Sequence, residues 1–172
     1  MNRRNTLGFS AIIAFALAVA SSSTFGQPAK PIKDQLVGAW SLVSFVSEDE
    51  KGAMVPPVVG PEMQGQLIFT SNGRYSFQVV TKFQKLASND RMKTTAEENK
   101  AIAQGSFSYY GSYSVDEPKK TIILKIERSS FPNQIDTSGT RVITSLTADE
   151  LKYDNPARLA GGKTHLAWKR MP

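Results

Sequence analysis

Three observations predict an all-β chain folded as an eight-stranded antiparallel up-and-down barrel with one short inserted helix. About eight β-rich segments recur between turns bearing Gly, Pro, Asn or Asp. No helical crossover joins one segment to the next, so nothing forces parallel pairing. The first segment opens with Gly38-Ala39-Trp40, a pairing suited to a closed barrel end. A residue without a Cβ lets another group approach the backbone, and an indole fills a large volume while asking for one polar partner.

The chain starts with a targeting pattern. Arg3 and Arg4 precede an uncharged, mostly apolar run from Leu7 to Ala20, followed by small residues at Ser21, Ser22, Ser23 and Gly26. This is the order of a secretory signal peptide over residues 1–26, and the run is short for a membrane span. A cut after Gly26 leaves Gln27 first; a cut near Ala20 to Ser23 and an uncleaved anchor are the alternatives. The expectation is an exported protein, periplasmic or secreted, without a stable transmembrane anchor. Residues 27–34, with Pro28 and Pro31, read as a flexible lead-in to a barrel domain over 35–171.

The strands follow in order. Leu36 to Val46 is the first, and Glu48-Asp49-Glu50-Lys51-Gly52 is a polar turn before a loop marked by Pro56, Pro57, Gly60 and Pro61. Gln66 to Thr70 and Arg74 to Thr81 flank Ser71-Asn72-Gly73, a hairpin signal. In the second of these Tyr75, Phe77 and Val79 alternate against Arg74, Ser76 and Gln78, which is period-2 patterning. Lys82 to Lys93 is basic and irregular. A helix then begins, with capping-box spacing at both Thr94/Glu97 and Thr95/Glu98, and runs to Gln104 before Gly105. Its apolar strip is only Ala101, Ile102 and Ala103, so it must lean on something else. It reads equally as a surface strut or as a flap over a barrel mouth. Strands resume at Phe107 to Val115, Thr121 to Arg128, Thr140 to Thr147, Glu150 to Asp154 and Lys163 to Arg170.

Composition narrows the chemistry. The 172 residues are 40% hydrophobic and 21% charged, ordinary for one globular domain. There is no Cys and one His, His165, so disulfides, thiolate zinc sites and cysteine nucleophiles are excluded and a histidine metal site is not expected. The formal charge of +6 falls to +4 once Arg3 and Arg4 leave with residues 1–26. Lys and Arg are spread along the chain and no basic tract is interleaved with aromatics, so nucleic acid is not an expected partner. No phosphate loop, HExxH or GxSxG element occurs. Glu97 and Glu98 are adjacent on the helix and serve better as caps than as an acid–base pair.

Several stretches together resemble the lipocalin-like domain family of bacteria and fungi. They are Leu36-Val37-Gly38-Ala39-Trp40-Ser41-Leu42-Val43-Ser44-Phe45, Gly65-Gln66-Leu67-Ile68-Phe69-Thr70-Ser71-Asn72-Gly73 and Tyr109-Tyr110-Gly111-Ser112-Tyr113. Ser130-Phe131-Pro132-Asn133 with Arg141, and Leu166-Ala167-Trp168-Lys169-Arg170, complete the set. They follow the family's order over nearly all of the mature chain. The long Pro-bearing first loop is a departure. The resemblance implies a lipocalin-type closure in which Lys169 or Arg170 covers Trp40, with Gly38 beside it; this element is structural.

An eight-stranded barrel can hold one small ligand. Tyr75, Phe77, Phe107, Tyr109, Tyr110 and Tyr113 are the candidate cavity aromatics, against the alternative that such rings simply fill the barrel. Gln78, Asn133 and Arg141 are the candidate polar contacts. An inward Arg141 would need a carboxylate or a ligand anion. The expected activity is reversible binding of a small hydrophobic molecule, with a carboxylate as one option; no catalytic residue, metal or cofactor is assigned. The alternatives are a small barrel enzyme of isomerase or hydratase type, drawing on His165, Tyr110 or Glu127, and an envelope interaction protein with a filled barrel.

Overall fold

The computed structural model describes residues 30–56, 59–60, 62–158 and 161–172. The predicted signal peptide lies outside the described residues. Nine strands form one antiparallel sheet: β1 (Gly38–Glu48), β2 (Met54–Val55), β3 (Gln64–Phe69), β4 (Arg74–Val80), β5 (Ser106–Asp116), β6 (Thr121–Ser129), β7 (Ser138–Leu146), β8 (Glu150–Asn155) and β9 (Lys163–Arg170). Each barrel strand pairs with its neighbour in sequence, and β1 pairs with both β3 and β9, which closes the barrel. β2 is a two-residue extension on β1, leaving eight strands in the barrel wall.

Alternation sets which side chains point inward. Tyr75, Phe77 and Val79 of β4, Ile122, Leu124 and Ile126 of β6, and Leu166 and Trp168 of β9 are all buried. Irregularities keep the rhythm over long strands. In β1 the register slips between Leu42 and Ser44, turning Val43 out to solvent while Phe45 continues the inner face. In β5 the slip lies between Tyr110 and Gly111, where a Cβ on Gly111 would sit 3.1 Å from the Glu127 amide nitrogen.

The two ends of the barrel are built differently. One end has short turns at residues 70–73, 117–120 and 147–149. The other carries the long connections at 49–63, 81–105, 130–137 and 156–162. Helix α2 (Ala96–Gly105) belongs to the second end, and its capping box is Thr95 with Glu98, both halves present; the Thr94/Glu97 alternative is not used.

The lead-in differs from the expectation. Ile32–Leu36 is a one-turn helix, α1, and β1 begins at Gly38 rather than Leu36. The Glu117 carboxylate, in the β5–β6 turn, accepts the Ile32 and Lys33 backbone N–H groups at 2.9 and 3.1 Å. A partner 85 residues away therefore orders a segment that its own five residues could not hold helical.

Leu36 and Trp40 are fully buried, and the Trp40 indole donates to the Leu36 carbonyl at 2.9 Å. The Arg170 guanidinium lies 3.9 Å from the centre of the Trp40 ring. It also donates to the carbonyls of Val37 (2.8 Å), Gln35 (2.6 Å) and Ala148. Gly38, at φ 133°, leaves room for it: a Cβ there would stand 2.7 Å from Arg170 Nη1. Of the two cations expected over Trp40, Arg170 takes the role. Lys169 does not, because it falls on the outward register of β9 and is exposed.

Candidate functional site

The expectations of a cavity and of a filled barrel each describe one half of the interior. Near the short turns the rings fill it. Tyr113 stacks edge-on against Phe69 with centroids 4.8 Å apart and donates to the Thr70 carbonyl at 3.0 Å. Tyr75 packs edge-on to Tyr109, 6.0 Å between centroids. Tyr75 and Tyr113 are thus core residues and do not line the cavity.

Above them a cavity of about 700 Å³ opens toward the long connections. Its wall includes Phe45, Phe77, Phe107, Tyr109, Tyr153 and Leu166 from the strands. Phe77 and Tyr109 are stacked at 4.6 Å, and Trp168 meets Phe77 edge-on and Tyr153 face-on behind them. The mouth is bounded by Val59 and Gly60, by Phe131, by Arg158, and by Ala101, Ala103, Gln104 and Gly105 of α2. The helix is therefore the flap of the two readings. It is fixed at its C-terminal end, where Thr81 N–H donates to the Gly105 carbonyl at 2.8 Å. A Cβ on Gly105 would come within 2.7 Å of Thr81 Cγ2 and would also meet the Phe83 ring.

Arg141 is the one charged residue among the buried set, 7% exposed, and it faces this cavity. Its guanidinium donates to the Thr140 carbonyl (2.7 Å), Asn155 Oδ1 (3.0 Å) and the Tyr109 hydroxyl (3.1 Å). The Tyr153 hydroxyl is a further side-chain hydrogen-bond partner, so neutral groups engage most of the five N–H groups a guanidinium carries. No ion pair to Arg141 occurs among the described residues, and all its side-chain partners are neutral. Burial pushes the Tyr153 and Tyr75 hydroxyls well above the usual phenol range, and the opposing pull of Arg141 is the smaller effect. Neither phenol supplies a negative charge at neutral pH. Among the described residues the cavity wall holds no Asp, Glu, Lys or His, and its charges are Arg141 and Arg158.

Three predicted contacts are not in the cavity. Gln78 and Tyr110 are exposed on the outer face, because each is the strand neighbour of an inward ring, Phe77 and Tyr109. Asn133 is exposed in the short 3₁₀ turn Pro132–Gln134, and its neighbour Gln134 lines the cavity instead. The groups proposed for catalysis also face away. His165 lies on the outer register between Asp154 (Nδ1···Oδ1 2.7 Å) and Glu48 (Nε2···Oε1 3.2 Å). Glu127 makes a two-pronged pair with Arg74 at 2.6 and 2.8 Å. Among the described residues no group of three His, Cys, Asp or Glu side chains could hold a metal ion.

Phe45, Tyr153, Asn155, Arg158 and Leu166 line the cavity without having been singled out from sequence. Alternation offered a signal for Leu166, which shares its face with Trp168. Arg158 had none, since it lies in a loop with no periodicity.

A closed up-and-down barrel with a cup at one end defines a class of small-ligand scaffold. The chain belongs to the lipocalin-like domain family, whose pattern matches residues 37–171. No curated protein matches it. Among solved structures it is similar to a lipocalin-like protein from Bacteroides uniformis, at 13% identity and a TM-score of 0.43, over 80% of this chain and 99% of that one. It is also similar to a redesigned β-barrel, at 15% identity and a TM-score of 0.46, over 85% and 100% of the two chains. As-p18, an extracellular fatty acid binding protein, aligns at 14% identity and a TM-score of 0.39, over 83% and 100%. At these distances the likeness concerns the fold and carries no ligand across.

Proposed function

We propose that the protein binds one small hydrophobic molecule bearing an anionic group, with the apolar part along the Phe45, Phe77, Phe107 and Leu166 wall and the anion at Arg141. The observation that carries this reading is a buried guanidinium on the wall of an apolar cavity, bonded only to neutral groups. A buried charge without a counter-charge is costly, and a ligand carboxylate would offset that cost by supplying the missing negative charge. The cavity volume lies within the range of small-molecule sites. A binding role is favoured over the isomerase or hydratase alternative because, among the described residues, the wall presents apolar side chains around one buried cation and no carboxylate or imidazole. The Arg3-Arg4 start and the Leu7–Ala20 run support a role outside the cytoplasm, as an envelope or secreted carrier.

Native mass spectrometry of the purified protein, paired with a denaturing run, tests the binding. The expected result is a non-covalent mass that is lost on denaturation and absent from Arg141→Met. Bare protein that also fails to take up an anionic hydrophobic dye would overturn the reading. The denaturing run also reads the start of the mature chain, expected at Gln27.

A further inference from the structure

Six of the twelve exposed large apolar side chains among the described residues, Met54, Val80, Phe83, Leu86, Met92 and Phe131, belong to the open end, and Met92 is 89% exposed. Three of them fall within residues 82–93, which carry Lys82, Lys85, Arg91 and Lys93 against a single acid, Asp90. Lys82 and Lys93 have loose exposed pairs, to Glu62 at 3.8 Å and Asp90 at 3.6 Å. Lys85 and Arg91 have no ion pair among the described residues. This segment is irregular but anchored: the Ala87 and Thr95 N–H groups both donate to the Glu98 carboxylate, at 3.0 and 2.8 Å. It is an anchored basic ledge with apolar tips at the open end, running from Thr81 to α2, both of which contribute to the cavity wall.

Isolated exposed apolar residues are unremarkable, but apolar tips interleaved with unpaired cations match an anionic lipid surface in both respects. We propose that the 82–93 ledge docks the open end of the barrel on an anionic membrane surface, with Phe83, Leu86 and Met92 entering the headgroup boundary and Lys85 and Arg91 on lipid phosphates. Docking this way would aim the cavity mouth at the bilayer, so that a hydrophobic ligand passes between lipid and barrel without crossing water. The inference uses the outer rim and does not depend on what fills the cavity.

The chain has no Cys, so single labels are simple to place. An environment-sensitive fluorophore is attached to Met92→Cys, and in a second protein to Asn72→Cys in the β3–β4 turn at the opposite end. The mature proteins, starting at Gln27, are mixed with vesicles of phosphatidylcholine containing phosphatidylglycerol, or with phosphatidylcholine alone. The expected result is a blue shift at position 92 on the anionic vesicles only, reversed by high salt, and none at position 72. Adding Lys85→Glu and Arg91→Glu should weaken the docking roughly tenfold or more, since each cation near the surface contributes a factor of several. Both substitutions are on exposed side chains, and a position-92 label on Arg141→Met should dock as the parent does. A shift at both positions, an equal shift on neutral vesicles, no shift at 92, or a shift indifferent to the two charge reversals would each overturn the proposal. Loss of ligand binding with docking intact would count against the cavity assignment alone.

Discussion

The two ends of the barrel put the same kinds of residue to opposite uses. At the closed end an aromatic and a cation meet within 3.9 Å, and Arg170 donates to three backbone carbonyls that hold α1, β1 and the β7–β8 turn together. At the open end the buried cation, Arg141, is bonded to neutral groups beside a cavity of about 700 Å³. Both guanidiniums donate only to neutral groups, but Arg170 is partly exposed and lies over the Trp40 ring, whereas Arg141 is buried and faces a cavity. The lesson is that burial of a charge does not itself mark function. What separates the two is what the cation faces: an indole ring and solvent at one end, an apolar cavity at the other.

The largest expected effect lies at the closed end. Trp40→Ala removes a fully buried ring and should cost about 3–5 kcal/mol, lowering Tm by on the order of 10 °C in thermal unfolding. Gly38→Ala comes next. Its φ of 133° and the clash with Arg170 Nη1 predict a loss of about 2 kcal/mol, and a Tm equal to wild type would mean that Arg170 can leave Trp40 without cost. At the open end stability should respond less than exchange does. Gly105→Ala forces α2 away from Thr81 and Phe83, so ligand release measured by stopped-flow should quicken while Tm moves by only a few degrees, about 1 kcal/mol.

The smallest effect is one of pH. Hydrogen bonds from the Ala87 and Thr95 amides, in that order of importance, hold the Glu98 carboxyl below the usual glutamate range. A depressed carboxylate stabilises the fold above its unfolded pKa, and that contribution fades as pH falls through the lower folded value. Amide-exchange protection at Ala87 and Thr95 should be flat above the ordinary glutamate pKa of about 4.3 and drop below it. The closed-end amide of Ile143, which donates to the Lys120 carbonyl, should show no such step.

Much of the wall was readable because alternation is a local property. Tyr75, Phe77 and Val79 face inward as their spacing requires, and Thr95 with Glu98 caps α2 as its spacing allows. The same alternation places Gln78 and Tyr110 outside, beside Phe77 and Tyr109, so their candidacy conflicted with a pattern already visible. Other features depend on distant partners and leave no local trace. α1 exists because Glu117 reaches its amides, and Arg158 reaches the mouth because its guanidinium donates to the Glu48 carbonyl at 2.9 Å, 110 residues away. The inward course of Arg141 required knowing that Tyr109 and Asn155 would meet it there.

The most direct test of the contrast between the two arginines is a calorimetric titration of wild type and Arg141→Met with a long-chain carboxylate and with the matching alcohol. Thermal unfolding of both proteins accompanies it. Arg141→Met should change stability little, since removing a buried charge with no counter-charge offsets the hydrogen bonds lost at Thr140, Asn155 and Tyr109. The carboxylate should bind wild type best and lose about 10- to 100-fold in the variant, while the alcohol binds both alike. Equal carboxylate affinity in the two proteins would contradict the account, as would a variant destabilised as far as Trp40→Ala, for then Arg141 too would be a brace.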